Sequence, residues 1–194
     1  MGWKRRLKAA ARREQQALPL RVLRSRRMSL VAADASLLES DLAKSAALGD
    51  RLGASVPDNW PPVLYGRPAI ELALRQLADP AEQGWSFWYL LTREESGQQL
   101  LGICDFKGRP DVKGSVEIAY SVLAQFRNRG LATEAVQTLL AWAFSHQNVR
   151  EVSAKTLPHL QQSIRVMKKN GFAPAGEGPE RGVIRYVVLR PDCR

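Results

Sequence analysis

The residues best able to do chemistry stand in one stretch, Glu117-Ile-Ala-Tyr-Ser-Val-Leu-Ala-Gln-Phe-Arg-Asn-Arg-Gly-Leu-Ala-Thr-Glu-Ala135. It reads as a strand, a short polar loop with two arginines and a glycine, and the first turn of an amphipathic helix. A helix start carries free backbone amides and the positive end of the helix dipole, which together make an anion site. Gly130 and Ala132 lack bulky side chains, so an anion can approach the main chain closely. Arg127 and Arg129 add charge that suits a diphosphate. Residue type and spacing thus point to a phosphate-bearing ligand at a strand-to-helix turn. The competing reading is an ordinary connection whose arginines are merely solvated.

The elements that must position this turn follow from periodicity. Residues 18–31 read as an entry strand, because apolar residues repeat with a period of two around the Ser25 to Arg27 patch. Ser36 and Glu39 have capping-box spacing, which predicts a helix running to about Leu48 and stopped by Gly49. Pro57, Pro61, Pro62 and Gly66 make the next stretch irregular, although it carries Trp60 and Tyr65. Pro68 suits the first turn of a second helix that ends near Asp79. Residues 85–92 and 99–106 read as a hairpin, with a third strand at 116–122 completing a meander. A helix over 131–146, a strand over 149–156, a helix over 160–170 and a final strand over 182–190 follow. Strands alternating with helices on a partly antiparallel sheet describe a mixed α/β layer.

Length and composition agree with one domain. The chain has 194 residues, 45% apolar and 25% charged, which is ordinary globular usage. Its longest apolar run, Leu139 to Phe144, is far too short to cross a bilayer, so no transmembrane segment is expected. Cys104 and Cys193 form neither a disulfide scaffold nor a zinc spacing, and a reducing, cytoplasmic setting fits them best. The net charge of +10 is uneven: residues 1–27 hold ten Lys and Arg against Glu14 alone. A near-neutral body with a basic arm suggests an appendage. Residues 1–18 are therefore read as an extension, either frayed or a basic amphipathic helix able to touch RNA or another anionic surface, and 19–194 as the folded domain.

Arg127-Asn-Arg-Gly-Leu-Ala132 resembles the Arg/Gln-x-x-Gly-x-Gly/Ala signature of the GCN5-related N-acetyltransferase (GNAT) superfamily. Ser163-Ile-Arg-Val-Met-Lys-Lys-Asn-Gly-Phe172 resembles the same family's next motif. Order and spacing from Glu117 to Phe172 are most similar to the branch of ribosomal-protein alanine acetyltransferases, and Leu23 to Leu30 resembles that branch's first strand. The resemblance implies acetyl-coenzyme A as donor and direct attack of a primary amine on the thioester. It further implies a mostly antiparallel sheet, flanked by helices, whose strand ending near Val122 splays from the parallel strand at 149–156. Freed amides at Ser121, Val122 and Leu123 would then pair with the pantetheine arm, as an added strand pairs with a sheet. Arg127, Asn128, Arg129, Gly130, Leu131, Ala132 and Thr133 would hold the diphosphate, in agreement with the unaided reading.

Within that frame the base is Glu117, on the strand beside the expected thioester, unless it is only a salt-bridged strand glutamate; Glu177 and Glu180 are alternatives. Ser163 is the expected proton donor to the departing thiolate, or else a small residue that packs near the cofactor. A main-chain amide near Val122 would stabilise the oxyanion. The family position often held by asparagine is Leu160 here, and Lys169 matches a family lysine able to approach the nucleotide phosphate. Trp60 and Tyr65 would frame the acceptor, a small-molecule amine or a peptide N-terminus, with Asp58 able to pair with a cationic amine. The alternative is a non-catalytic module that senses acetyl-coenzyme A or docks RNA or the ribosome through the basic arm. Monomer and homodimer are both open.

Overall fold

The computed structural model describes residues 20–44, 46–93 and 97–191, so the basic extension over 1–18 lies outside the described residues. Nine strands form one sheet in the order β1-β2-β4-β5-β6-β7-β9-β8, with β3 beside β5. These are β1 (Val22–Arg24), β2 (Met28–Ala32), β3 (Ala54–Ser55), β4 (Phe87–Thr92), β5 (Gln98–Phe106), β6 (Ser115–Val122), β7 (Glu151–Thr156), β8 (Ala173–Glu177) and β9 (Ile184–Leu189). Along the main path every pairing is antiparallel except β6 with β7.

Helices cover both faces. On one side lie α1 (Ala35–Leu42), α2 (Ala47–Leu52) and α3 (Arg67–Gln76), packed through Leu37, Leu48 and Ile70 onto Tyr89, Leu91 and Ile103. On the other lie α4 (Leu131–Phe144) and α5 (Gln161–Lys169), packed through Val136, Leu139, Ile164 and Met167 onto Leu101, Val116, Ile118 and Val122. Strand alternation explains why one sheet serves two cores: successive side chains of β4, β5 and β6 go to opposite faces. The run Phe87–Thr92 is accordingly buried throughout, as expected for a strand covered on both sides.

Local details differ from the expectation where polar residues intervene. The entry strand over 18–31 is two strands, because Ser25 turns the chain: its amide donates to the Met28 carbonyl at 2.9 Å. The first helix is capped by Asp34, whose Oδ1 accepts the Leu37 amide at 2.7 Å, so the Ser36/Glu39 box does not set its start. Gly49 is not a stop; it lies within α2, and the left-handed stop is Gly53 at φ 60°. Gly49 serves packing instead, since a Cβ there would lie 2.9 Å from the Ala54 carbonyl oxygen. Strand β8 carries no period-two signal, because Pro174 and Gly176 give it the composition of a loop.

Gly102 sets how closely β5 meets the end of β6. A Cβ there would lie 2.5 Å from the Ser121 carbonyl oxygen and 3.0 Å from Val122 Cα, both backbone atoms that cannot step aside cheaply. Gly102→Ala is expected to lower stability by about 1 to 3 kcal/mol, the usual range for overpacking, as measured by the denaturant midpoint.

Candidate active site

The β6–β7 ladder is short. It pairs Ser115 with Glu151, Val116 with Val152 and Glu117 with Ser153, and there it stops. Beyond it, residues 118–122 of β6 stay paired only with β5, and residues 154–156 of β7 only with β9. The sheet therefore parts down its middle, as the resemblance implied. Leu123 donates its amide to the Leu101 carbonyl, and the Glu117 carbonyl accepts the Lys107 amide. Alternation then turns the main chain of Ser121 towards β5 and that of Tyr120 and Val122 towards the parting. The expectation of three freed amides is corrected to one, that of Val122, because Ser121 and Leu123 spend theirs on the antiparallel neighbour.

The chain leaves β6 through a single 3-10 turn, Ala124–Phe126, and enters α4 through Gly130. Asn128 at φ 59° and Gly130 at φ 76° are both left-handed, which folds the turn tightly. Gly130 is the N-cap, and no side chain caps the amides of the first helical turn, so Leu131, Ala132 and Thr133 present N–H groups as an anion site does. Arg127, Asn128 and Arg129 are exposed around it. Arg127 Nε donates to the Val122 carbonyl at 3.1 Å, and the Arg129 guanidinium lies 5.9 Å over the Phe126 ring.

This turn is braced by a part of the chain that sequence reading did not connect with it. Glu134, in the first turn of α4, accepts from Ser25 Oγ at 2.7 Å, the Arg27 amide at 2.8 Å and Arg27 Nε at 2.7 Å. Arg27 Nη1 also donates to the Arg129 carbonyl at 2.9 Å. The β1–β2 turn is thus fastened to the start of α4. No local sequence signal marks a contact between residues so distant in the chain.

The two expected catalytic groups lie on opposite sides of the sheet. Glu117 alternates with Val116 and Ile118, which face α4 and α5, so its carboxylate faces the α1–α3 side. Lys155 Nζ lies 3.0 Å from it and also within 4.0 Å of Glu180. Ser163 is half-buried on α5, across the parting, and its carbonyl accepts the Tyr120 hydroxyl at 3.0 Å. Leu160 is the exposed N-cap of α5 and offers no capping group. Lys169 is exposed in the last turn, beside Asn170, whose side-chain amide donates to the Thr133 carbonyl at 3.2 Å.

The Pro-rich loop is held from beneath by two buried carboxylates. Trp60 Nε1 donates to Asp41 at 2.7 Å, and Asp41 also accepts the Tyr89 hydroxyl at 2.9 Å. Tyr65 donates its hydroxyl to Asp105, which also pairs with Lys107 Nζ at 2.6 Å. Tyr65 is only 3% exposed, with its ring edge-on to Phe87 at 5.2 Å, so the expectation that it lines the acceptor site is corrected: it belongs to the core. Trp60 is half-buried between the two cores. The two aspartates were also missed. Asp105 is marked in the sequence by its place in the otherwise apolar run Leu100 to Phe106, and Asp41 by its spacing from Leu37 and Leu38.

Residues 56–173 match the Acetyltransferase (GNAT) domain, and the chain belongs to that family. A Bacillus subtilis (strain 168) relative, the uncharacterized N-acetyltransferase YjdG, is 23% identical over 151 residues, spanning 78% of this chain and 89% of its own. The fold is that of the ribosomal-protein-S5-alanine acetyltransferase from Vibrio fischeri, with a TM-score of 0.62, 16% identity and coverage of 90% and 99% of the two chains. It is equally that of the ribosomal L7/L12 α-N-protein acetyltransferase RimL in complex with coenzyme A, at TM-score 0.61 and 17% identity, covering 87% and 98%. The chain is therefore an acetyltransferase, and its acetyl donor is acetyl-coenzyme A. The uncapped turn at Gly130 and the parted sheet fit a diphosphate and a pantetheine arm respectively. No described helix is long and apolar enough to cross a membrane.

Charge at the site responds to pH in two directions. Burial raises the pKa of Glu134, but the bonds from Ser25 and Arg27 outweigh it and leave the carboxyl below its ordinary 4.5. Its contribution to stability is therefore present above pH 4.5 and lost as pH falls through the folded value. Asp41 and Asp105 are raised above 3.8, chiefly by burial, against the bonds they accept; their contribution is full below that value and declines as pH rises. Glu134→Gln is expected to lower stability at neutral pH, with the gap from wild type narrowing below pH 4.5. Urea unfolding across that range checks it.

Proposed function

We propose that the chain transfers acetyl from acetyl-coenzyme A to a primary amine by direct attack, without a covalent acetyl-enzyme. The observation that carries this reading is the parting of the sheet after the Glu117–Ser153 pair, directly before a helix start left uncapped at Gly130. Leu131, Ala132 and Thr133 amides receive the diphosphate with Arg127, Asn128 and Arg129 around it. Lys169 stands at the nucleotide side, and Leu160, at the opposite end of α5, gives the pantetheine arm an apolar contact. The Val122 edge pairs with the pantetheine arm.

The acceptor enters on the face of Glu117, bounded by Trp60. The acceptor ammonium displaces Lys155 from Glu117, which then takes a proton from that ammonium, directly or through water. The free amine attacks the thioester carbon, and the Val122 amide stabilises the oxyanion. Collapse breaks the carbon–sulfur bond; Ser163 delivers its hydroxyl proton to the thiolate and is reprotonated, through solvent, by the second proton that the acylated nitrogen gives up. Products are the acetylated amine and coenzyme A. The acceptor class is a peptide or protein N-terminus, or a small-molecule amine.

Glu117→Gln is expected to lower kcat by about 100-fold or more while coenzyme A affinity holds, the range for loss of a general base. Arg127→Ala with Arg129→Ala is expected to weaken coenzyme A binding by about 2 to 4 kcal/mol, counting charge-assisted bonds and discounting for exposure. Calorimetry measures the second. A thiol-release screen over amines, amino acids and peptide N-termini supplies the acceptor for the first; absence of coenzyme A binding at millimolar concentration defeats the whole reading.

A further inference from the structure

The Pro-rich loop and the phosphate turn are joined by a reciprocal pair of side-chain amides. Asn59 Nδ2 donates to Gln125 Oε1 at 3.0 Å, and Gln125 Nε2 donates back to Asn59 Oδ1 at 3.2 Å. Each side chain gives one hydrogen bond and takes one, which requires a carboxamide on both sides. The two ends are mounted differently. Asn59 sits in a loop fixed by Trp60 to Asp41 and by Tyr65 to Asp105. Gln125 sits in the 3-10 turn between Val122 and Arg127, whose Nε now occupies the Val122 carbonyl.

Pantetheine pairing along β6 competes for that same carbonyl, and a diphosphate draws the Arg127 guanidinium away from it. Both events act on the turn that carries Gln125, one from each end. We propose that Asn59 and Gln125 are positioning residues that transmit acetyl-coenzyme A occupancy to the acceptor loop, so that the donor sets the loop before the amine arrives. The inference rests on the diphosphate being held at Gly130. Its content is a coupling between two sites through a named pair, and such coupling is reciprocal: an acceptor held by the loop tightens the donor in turn.

Amide hydrogen exchange tests the coupling with coenzyme A alone. The reporters are the loop amides of Trp60, bonded to the Pro57 carbonyl, and Tyr65, bonded to the Pro62 carbonyl. In the wild type, saturating coenzyme A is expected to protect residues 124–133 and to slow exchange in the loop by roughly fivefold, the scale of one net hydrogen bond. Asn59→Ala and Gln125→Ala, both at exposed positions, are expected to bind coenzyme A and protect 124–133 as before while losing the loop response. The swapped pair Asn59→Gln with Gln125→Asn keeps two carboxamides and is expected to restore it. Loop slowing that persists in both single variants overturns the inference, as does a wild-type loop that ignores coenzyme A while 124–133 is protected. Failure of coenzyme A to protect 124–133 in the wild type instead overturns the donor-site assignment on which the inference stands.

Discussion

A parallel ladder that ends after three residue pairs leaves polar backbone exposed in the middle of a sheet. Such groups are costly unless something satisfies them, because buried amides and carbonyls are almost always paired. Each parted strand limits that cost by keeping its other neighbour: β6 stays laddered to β5, and β7 to β9. The open edge of β6 is partly served by a side chain, since Arg127 fills the Val122 carbonyl, and the Tyr120 hydroxyl separately ties β6 to the Ser163 carbonyl of α5. The gap is thus a defined slot with edges of known hydrogen-bonding sense, and β6 leads to the turn at Gly130 through the 3-10 turn Ala124–Phe126.

The same constraint divides the labour of the two faces. The α4 and α5 face is continuous apolar packing around Trp142, with Trp85 at 4.5 Å and Trp88 at 5.3 Å, and it anchors the strands on either side of the parting. The α1–α3 face mixes apolar packing with buried carboxylates. Burial makes Asp41 and Asp105 harder to ionise, and each compensates by accepting more than one hydrogen bond. A buried polar pair of this kind adds little net stability but fixes geometry. Here the geometry fixed is that of the 57–66 loop, which has no regular secondary structure to hold it.

Much of this was legible in the sequence where chemistry is local. Period-two alternation found β4, β5 and β6, and the Arg127 to Ala132 signature marked the uncapped turn at Gly130, because its small residues and basic charges are adjacent in the chain. Contacts between distant segments were not legible. Glu134 reads as an ordinary first-turn acid until Ser25 and Arg27 are brought to it from over 100 residues away. Tyr65 reads as a ligand-facing aromatic in a loop, yet its neighbours Phe87 and Asp105 draw it into the core. Loop composition announces irregular backbone and says nothing of which side chains turn inward.

The ion pair of Glu117 with Lys155 bears on how such a site handles a cationic substrate. Two readings of Glu117, catalytic base and salt-bridged strand residue, look exclusive in the sequence and are compatible in the structure. Lys155 sits on β7 two residues past Ser153, the last-rung partner of Glu117, so its ammonium lies near the mouth of the parting. Under the proposed mechanism an incoming ammonium carries the same charge and competes for the same carboxylate, and Glu180, 4.0 Å from Lys155 Nζ, is a second partner for the displaced lysine. The exchange replaces one charge-assisted contact by another, so little Coulomb energy is lost when the substrate enters. A lysine that must be displaced also keeps the carboxylate oriented before the substrate arrives, which spares the ordering entropy that a free glutamate would lose on binding.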